Sequence, residues 1–178
     1  MWQGLVSPSL ERLIVTPRDT GFELSGLILQ AHHEVPYIVR YRVALDASWT
    51  TQSVELEVEN GDRRDLRLER DPSGQWSING ERRAEFDGSA DVDIEWSPST
   101  NTLPIRRLDQ APGTTTWVTA VWIRLPGLSV EPLEQSYERL SERRYRYRAG
   151  TFTADLEVDD EGWVRQYGLN WKAVATSG

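Results

Sequence analysis

From Glu23 onward the apolar positions of the chain recur at every second residue, a period that an extended strand turns into one apolar face and one polar face. Tyr37, Val39, Tyr41, Val43 and Leu45 alternate with Ile38, Arg40, Arg42 and Ala44. After a turn over residues 46–51, Val54, Leu56 and Val58 alternate with Glu55, Glu57 and Glu59, so these two runs predict a hairpin. Asn60-Gly61 leads into Leu66 and Leu68, Asp71-Pro72-Ser73-Gly74 into Trp76 and Ile78, and Asn79-Gly80 supplies the residue pair that two-residue hairpins favour. Residues 117–125 are apolar on both faces, with Trp117, Val121, Ile123 and Leu125 on one and Val118, Ala120 and Trp122 on the other. That strand therefore has to be covered twice, by a helix or by the opposite wall of a rolled sheet. Residues 134–144 have a helix-compatible composition, but Tyr145, Tyr147, Phe152, Ala154, Leu156 and Val158 return to alternation, which predicts strand there. Asp159-Asp160-Glu161-Gly162 is the last turn, Val164 through Trp171 close the set, and residues 173–178 read as a frayed tail. The pattern predicts an all-β protein whose consecutive antiparallel strands roll around an apolar interior.

Composition narrows the classes of partner. One domain spanning residues 1–178 is expected, with 38% hydrophobic and 27% charged residues, the balance of a globular chain. A net charge of −8 disfavours a phosphate backbone or an anionic membrane surface as partner. The absence of cysteine removes disulfides, thiol nucleophiles and thiolate metal sites. Only His32 and His33 carry imidazoles; consecutive in sequence and without a third ligand at a recognisable spacing, they read as surface polar residues, and no metal or other cofactor is expected. No run of eighteen apolar residues and no basic leader occurs, which argues against stable membrane insertion and makes the cytoplasm the expected compartment. The run of Arg143, Arg144, Arg146 and Arg148 around Tyr145 and Tyr147 has the make-up of a nucleic-acid patch. Glu134, Glu138 and Glu142 beside it, with the acidic balance of the chain, favour a polar strand face with arginines laid over aromatic rings instead. Eight tryptophans and six tyrosines against three phenylalanines favour rings with a polar tip, suited to surfaces that are apolar on one side and wet on the other.

The densest chemistry lies in residues 91–108, DVDIEWSPSTNTLPIRRL. Val92, Ile94 and Trp96 fall on one face of a strand and Asp91, Asp93 and Glu95 on the other, which reads as a wet face. At a rise of about 3.3 Å per residue, the Asp91 and Asp93 β-carbons stand roughly 6 to 7 Å apart, within the range used by paired carboxylates in glycoside hydrolysis. A solvated strand face relieved by Arg106 or Arg107 is the alternative. Pro98 is expected to stop the strand, residues 97–102 to form a polar turn, and Pro104 to hold the chain extended. On an extended segment Arg106 and Arg107 point to opposite faces, so one of them is expected to meet a ligand or pair with the aspartates. Asn101 and Thr102, as a bare pattern, say loop.

Asp91-Val92-Asp93-Ile94 with Trp96, then Thr100 to Leu108, together resemble the signature of a bacterial family named for glycolipid binding, formerly a domain of unknown function. The resemblance continues in Asp46 with Trp49, in Gln135-Ser136-Tyr137, in Phe152 to Asp159, and in Gly162-Trp163-Val164 through Tyr167 and Trp171. Two positions depart from it: Ser89 and Ala90 stand where a cysteine is expected, and Lys172 where an arginine is. The resemblance implies a long antiparallel meander rolled into a spiral or half-barrel, similar to the half-barrels of bacterial lipoprotein carriers. It lifts Asp91, Asp93, Asn101, Thr102, Arg106, Arg107, Gln135 and Tyr137, with the ring of Trp117, to candidate ligand contacts. The expected function is non-catalytic binding of an amphiphile, a glycolipid by the resemblance, with no nucleic-acid partner. A glycoconjugate-modifying enzyme using Asp91 and Asp93, and a structural domain with a filled core, are the alternatives.

Overall fold

A computed structural model describes residues 1–175. Eight strands fill the first half of the chain: β1 (Trp2–Gly4), β2 (Ser9–Arg18), β3 (Gly21–His32), β4 (Val35–Asp46), β5 (Thr51–Glu59), β6 (Arg63–Arg70), β7 (Trp76–Ile78) and β8 (Glu81–Arg82). The second half holds β9 (Asp91–Ile94), α1 (Thr102–Leu108), β10 (Thr115–Ile123), β11 (Val130–Ser141), β12 (Arg144–Ala149), β13 (Phe152–Val158), β14 (Val164–Tyr167) and β15 (Trp171–Ala173). All fifteen strands belong to one sheet in the order β8 to β1, then β15 back to β9. The chain therefore starts at a seam, meanders outward to β8, crosses to the far edge at β9 and meanders home. At the seam Trp2 pairs with Ala173 and Gly4 with Trp171. Residue 173, expected in a frayed tail, is thus a ladder residue, and the amide of Val174 donates to the Met1 carbonyl at 2.9 Å. Residues 176–178 of that expected tail lie outside the described residues.

Alternation and turn chemistry account for the meander. In the 78–81 hairpin Asn79 (φ 49°) and Gly80 (φ 84°) both take positive φ, the requirement of a tight turn matched to strand twist. The polar faces are self-paired across strands, with Arg40 3.1 Å from Glu57 and from Glu59. The arginine run likewise resolves into ion pairs, Arg143 with Asp160, Arg144 and Arg146 with Asp155, and Arg148 with Glu138; in place of the expected stacking over rings, these arginines meet carboxylates, of which only Glu138 is among the acidic neighbours singled out in the sequence.

The sheet is not closed; it curls so that its β9–β10 end lies inside. Val92, Ile94, Val121 and Ile123 pack with Leu24, Val39, Val54 and Leu68 in one core, while Tyr137, Tyr145, Tyr147, Leu156 and Val164 build a second. β9 is the one strand that runs parallel to its neighbour, with Asp91 opposite Ala120 and Asp93 opposite Trp122. Its interior position buries Val92 and Ile94 on one face and Asp91 on the other, so the expected wet face is corrected at Asp91, which is 1% exposed, while Asp93 is half-buried. The double-sided coverage expected for residues 117–125 holds at the inner end, where Ala120, Val121, Ile123 and Leu125 are buried, and fails at the outer end, where Trp117 is 70% exposed.

Residues 97–108 also differ from expectation. In place of an extended segment, a 3-10 turn (Ser99–Asn101) runs straight into α1. Pro104 is compatible because it sits in the first helical turn, where its missing N–H would have had no partner. Leu103 enters the first core and Ile105 the second, so this short helix joins the two. Asp109, in the left-handed region at φ 39°, ends it.

Candidate functional site

A cleft of about 480 Å³ opens where the seam strands meet the inner strand β9. That volume lies within the roughly 300–1,000 Å³ of small-molecule sites. Seam residues Gly4, Ser7 and Trp171 contribute one side, Gln30 and His32 come from β3, and Asp93, Glu95 and Trp96 come from β9 and the residues after it. Trp122, Tyr147, Phe152 and Tyr167 arrive from the second half of the sheet.

Two sets of rings belong to these walls. Tyr147, Phe152 and Tyr167 stand edge to face with centroids 5.9 to 6.1 Å apart. Trp96 stands 5.3 Å from His32 and 5.6 Å from Tyr37. Such rings offer flat apolar faces with polar edges.

Asp93 is the ionisable group at the floor. Its carboxylate accepts a short hydrogen bond from the Gln135 amide, and the Tyr137 hydroxyl, beside Gln135, donates to Asn101 Oδ1 at 3.0 Å. Burial pushes the Asp93 carboxyl up to about 6; the Gln135 bond opposes that rise and the nearby Glu95 charge adds to it. Burial and the Asp93 charge together also push the Tyr147 and Tyr167 hydroxyls up. Glu95 itself accepts from the Leu125 amide at 2.6 Å.

Asp91, two residues before, is committed elsewhere. Arg107 grips it with two bonds, Nε to Oδ1 at 3.0 Å and Nη2 to Oδ2 at 2.5 Å. Burial alone would lower the guanidinium, and the bonds to Asp91 raise it instead; burial raises the Asp91 carboxyl against the pull of Arg107, and the two groups are closed on each other. Arg106, one helical step away, lies with its guanidinium carbon 4.0 Å from the Trp49 ring centroid and 5.8 Å from that of Trp163. Each of these tryptophans is presented by a loop that folds back on an aspartate: Asp46 accepts the Ser48 and Thr50 amides, and Asp159 the Glu161 and Trp163 amides. Phe22 stacks on Trp49 at 4.7 Å, which makes this an arginine–aromatic staple apart from the cleft.

Behind the cleft wall lies a polar network that sequence reasoning missed. Glu11 is fully buried and accepts from Tyr41, from Ser97 at 2.7 Å and from Ser99 at 3.1 Å, while its Oε2 meets no protein partner among the described residues. Burial pushes its carboxyl up to about 7, against the pull of those three hydroxyls. Gly26 is what admits Tyr41, since a Cβ there would fall 1.9 Å from Tyr41 Cζ.

Of the residues picked from the sequence, the structure brings Asp93 and Asn101 into the cleft wall and sets Gln135 and Tyr137 directly behind them. Thr102 is buried with its hydroxyl unpartnered. Asp91 and Arg107 pair with each other, Arg106 covers Trp49, and Trp117 faces away at the surface. The expectation that the two arginines would point to opposite faces of an extended segment gives way to a helix, on which they still serve different partners. His32, expected as a surface polar residue, lines the cleft, and Gln30, Glu95, Trp122, Tyr147, Phe152, Tyr167 and Trp171 join it.

Two larger depressions are less suited to a ligand. The outer face of β2–β6 holds one of about 670 Å³, where Arg40, Arg42 and Arg63 are already paired with Glu55 and Glu57. Another, of about 530 Å³ beside the Arg106 staple, is lined mainly by charged groups.

Residues 1–173 match the family described as "Putative glycolipid-binding". The chain belongs to this family. A crystal structure of a DUF1089 family protein from Pseudomonas aeruginosa is 33% identical to it, covers 98% of this chain and 96% of that one, and superposes with a TM-score of 0.86. The curled all-β sheet expected from the sequence is thus shared with a solved relative. No curated protein matches the chain. Among the described residues no helix is long and apolar enough to cross a membrane, and no cluster of histidine and acidic side chains is arranged to hold a metal ion.

Proposed function

We propose that the protein binds an amphiphile with a saccharide headgroup in the cleft at the seam, without transforming it. The observation that carries this reading is the joining, in one 480 Å³ cleft, of hydrogen-bonding groups with flat ring faces. Asp93, Gln30 and Asn101 can meet vicinal hydroxyls, while Trp96, Tyr147, Phe152 and Tyr167 suit the apolar face of a pyranose and the start of an alkyl chain. The family's name agrees with that chemistry. Most of the roll's interior is filled by its two side-chain cores, so the cleft rather than the centre of the roll is the place for the ligand.

Titration of n-alkyl glucosides of increasing length, below their micellar concentrations, tests the reading through the emission of Trp96, Trp122 and Trp171. Burial of a methylene contributes roughly 0.8 kcal/mol, so affinity is expected to rise about fourfold per added carbon until the cleft is full. A response that is flat with chain length refutes the amphiphile reading.

A second reading rests on the raised carboxyl. Burial brings Asp93 to about 6, where it can hold and release a proton near neutrality, and Glu95 lines the same cleft as a second carboxyl group, the residue types from which glycosidases draw an acid and a base. The two replace the pair expected from the sequence, because Asp91 is closed off by Arg107. Turnover of aryl glycosides that is lost in Asp93→Asn would establish this reading over the first.

A further inference from the structure

We infer that the headgroup taken by the cleft carries a protonated amine. The inference rests on the cleft being the binding site. Its basis is the charge and ring content of the walls. The chain has twenty lysines and arginines, and none of their side chains lines this cleft, whereas Asp93 and Glu95 both do. The guanidinium that could have neutralised the region, Arg107, is turned to Asp91 and held there by two bonds. Arg124 lies 4.6 Å over the Trp122 ring and within 3.7 Å of Glu131, which occupies one face of that ring and leaves Arg124 out of the lining.

An incoming phosphate, sulfate or carboxylate would meet two carboxylates and no lysine or arginine, with the His32 imidazole alone on the walls to answer it, an arrangement that disfavours it. A neutral saccharide would gain hydrogen bonds from Gln30, Asn101 and Asp93 but leave the Asp93 charge without a counterion. An ammonium group satisfies the whole site. It donates to Asp93, whose hydrogen-bond partners, the Gln135 amide and the Thr100 hydroxyl, are both neutral. It also lies among rings whose faces attract cations, with Trp96, Tyr147 and Tyr167 on the walls. Since the tail would rest on Phe152 and Leu133, the ligand class is an aminosugar glycolipid; free aminosugars share the headgroup and are separated from it by the test.

The experiment is isothermal titration calorimetry of the full chain at pH 7.0 with five probes. They are octyl β-glucopyranoside, its 2-amino-2-deoxy and 6-amino-6-deoxy analogues, its 6-phosphate, and the methyl glycoside of whichever amine binds better. One amino glycoside is expected to bind at least tenfold more tightly than octyl glucoside, and the phosphate at least tenfold more weakly. Asp93→Asn is expected to erase the amine advantage, and 0.5 M salt to reduce it. The comparison of ligands on the unaltered protein decides the matter even if that variant is poorly folded. If octyl glucoside or the phosphate binds as tightly as both amines, this inference falls and the cleft-binding reading stands. If none of the probes binds, both fall. If the methyl aminoglycoside binds as tightly as the octyl one, the amine selectivity stands and the amphiphile is replaced by a free aminosugar.

Discussion

Glu11 gives the sharpest quantitative prediction, because replacing it with glutamine leaves the shape of the buried network nearly unchanged and removes only its charge. The carboxyl is fully buried and its affinity for a proton rises from an ordinary value of 4.5 to about 7 on folding. The folded state therefore holds this proton more tightly than the unfolded chain. Stability is fully present with Glu11 protonated, below about pH 4.5, and is lost as pH rises towards about 7, above which the loss is complete. At about 1.36 kcal/mol per pH unit the loss amounts to about 3 kcal/mol. Asp93, moved from 3.8 to about 6, adds a similar fall over a lower and overlapping range, so the slope of the unaltered protein alone does not isolate Glu11. The difference between Glu11→Gln and the parent does. Its oxygen can still accept from Tyr41, Ser97 and Ser99, while its amide nitrogen lies where Oε2 has no partner. At pH 5 the variant is expected to be less stable by about 1–2 kcal/mol for that unsatisfied donor. At pH 8, where the parent bears a buried charge, the variant is expected to be the more stable by a similar amount. Urea unfolding followed by far-ultraviolet circular dichroism at pH 5, 6, 7 and 8 measures both curves. A difference that stays constant within about 0.5 kcal/mol across this range would refute the claim that Glu11 is buried and titrates near neutrality.

Three further outcomes follow from particular contacts. Asp91→Asn leaves Arg107 without its buried partner and is expected to cost about 2–4 kcal/mol in urea unfolding, a loss partly recovered by adding Arg107→Gln in a double-mutant cycle. Gly26→Ala drives a methyl group into the Tyr41 ring and is expected to cost at least about 2 kcal/mol, with a changed near-ultraviolet dichroism as Tyr41 is displaced. Trp117→Ser, at a 70% exposed site away from the cleft, is expected to shift stability by no more than about 0.5 kcal/mol and to leave alkyl glucoside affinity unchanged; a tenfold weaker affinity would bring Trp117 back into the site.

The meander was legible because its causes are local. Alternation in residues 37–45 and 54–58, and turn pairs such as Asn79-Gly80, act within a few residues and need no knowledge of the rest of the chain. What escaped were consequences of the curl. A strand with carboxylates on one face and valine, isoleucine and tryptophan on the other reads as half exposed, and nothing within residues 91–96 says that this edge of the sheet is wound inside. The apolar double face at 120–125 was the one trace of that winding. Glu11 could have been noticed: Ser9, Glu11, Leu13 and Val15 share one strand face, and a glutamate among such neighbours signals a buried polar partner. Its partners Ser97 and Ser99, however, lie 86 and 88 residues away, beyond the reach of any local pattern. The helix at 102–108 is hidden in the sequence because Pro104 reads as a breaker unless its place in the first turn is known.

The open curl itself explains why the polar groups lie where they do. A closed barrel of these strands would give every strand one face inward and one outward, and the aspartates of β9 would have faced water. Here the sheet stops short of closing, and its last strand is covered on both sides except at Asp93: Val92 and Ile94 press on the apolar core of the first half, and Asp91 and Asp93 are turned towards the second half. Carrying two carboxylates inside is expensive unless each finds a partner. Asp91 has a charged one in Arg107, and the bond is complete within the chain. Asp93 has only neutral partners, the Gln135 amide and the Thr100 hydroxyl, and an opening lined by rings, so its charge is the part of the inner strand that the fold leaves unbalanced. The side chains around it arrive from both ends of the sequence, Gly4 and Ser7 from one and Trp171 from the other, and they are held in place by the pairing of β1 with β15. The cleft therefore exists only once the first and last strands have zipped together, which makes the proposed site a product of the completed sheet and of no shorter segment.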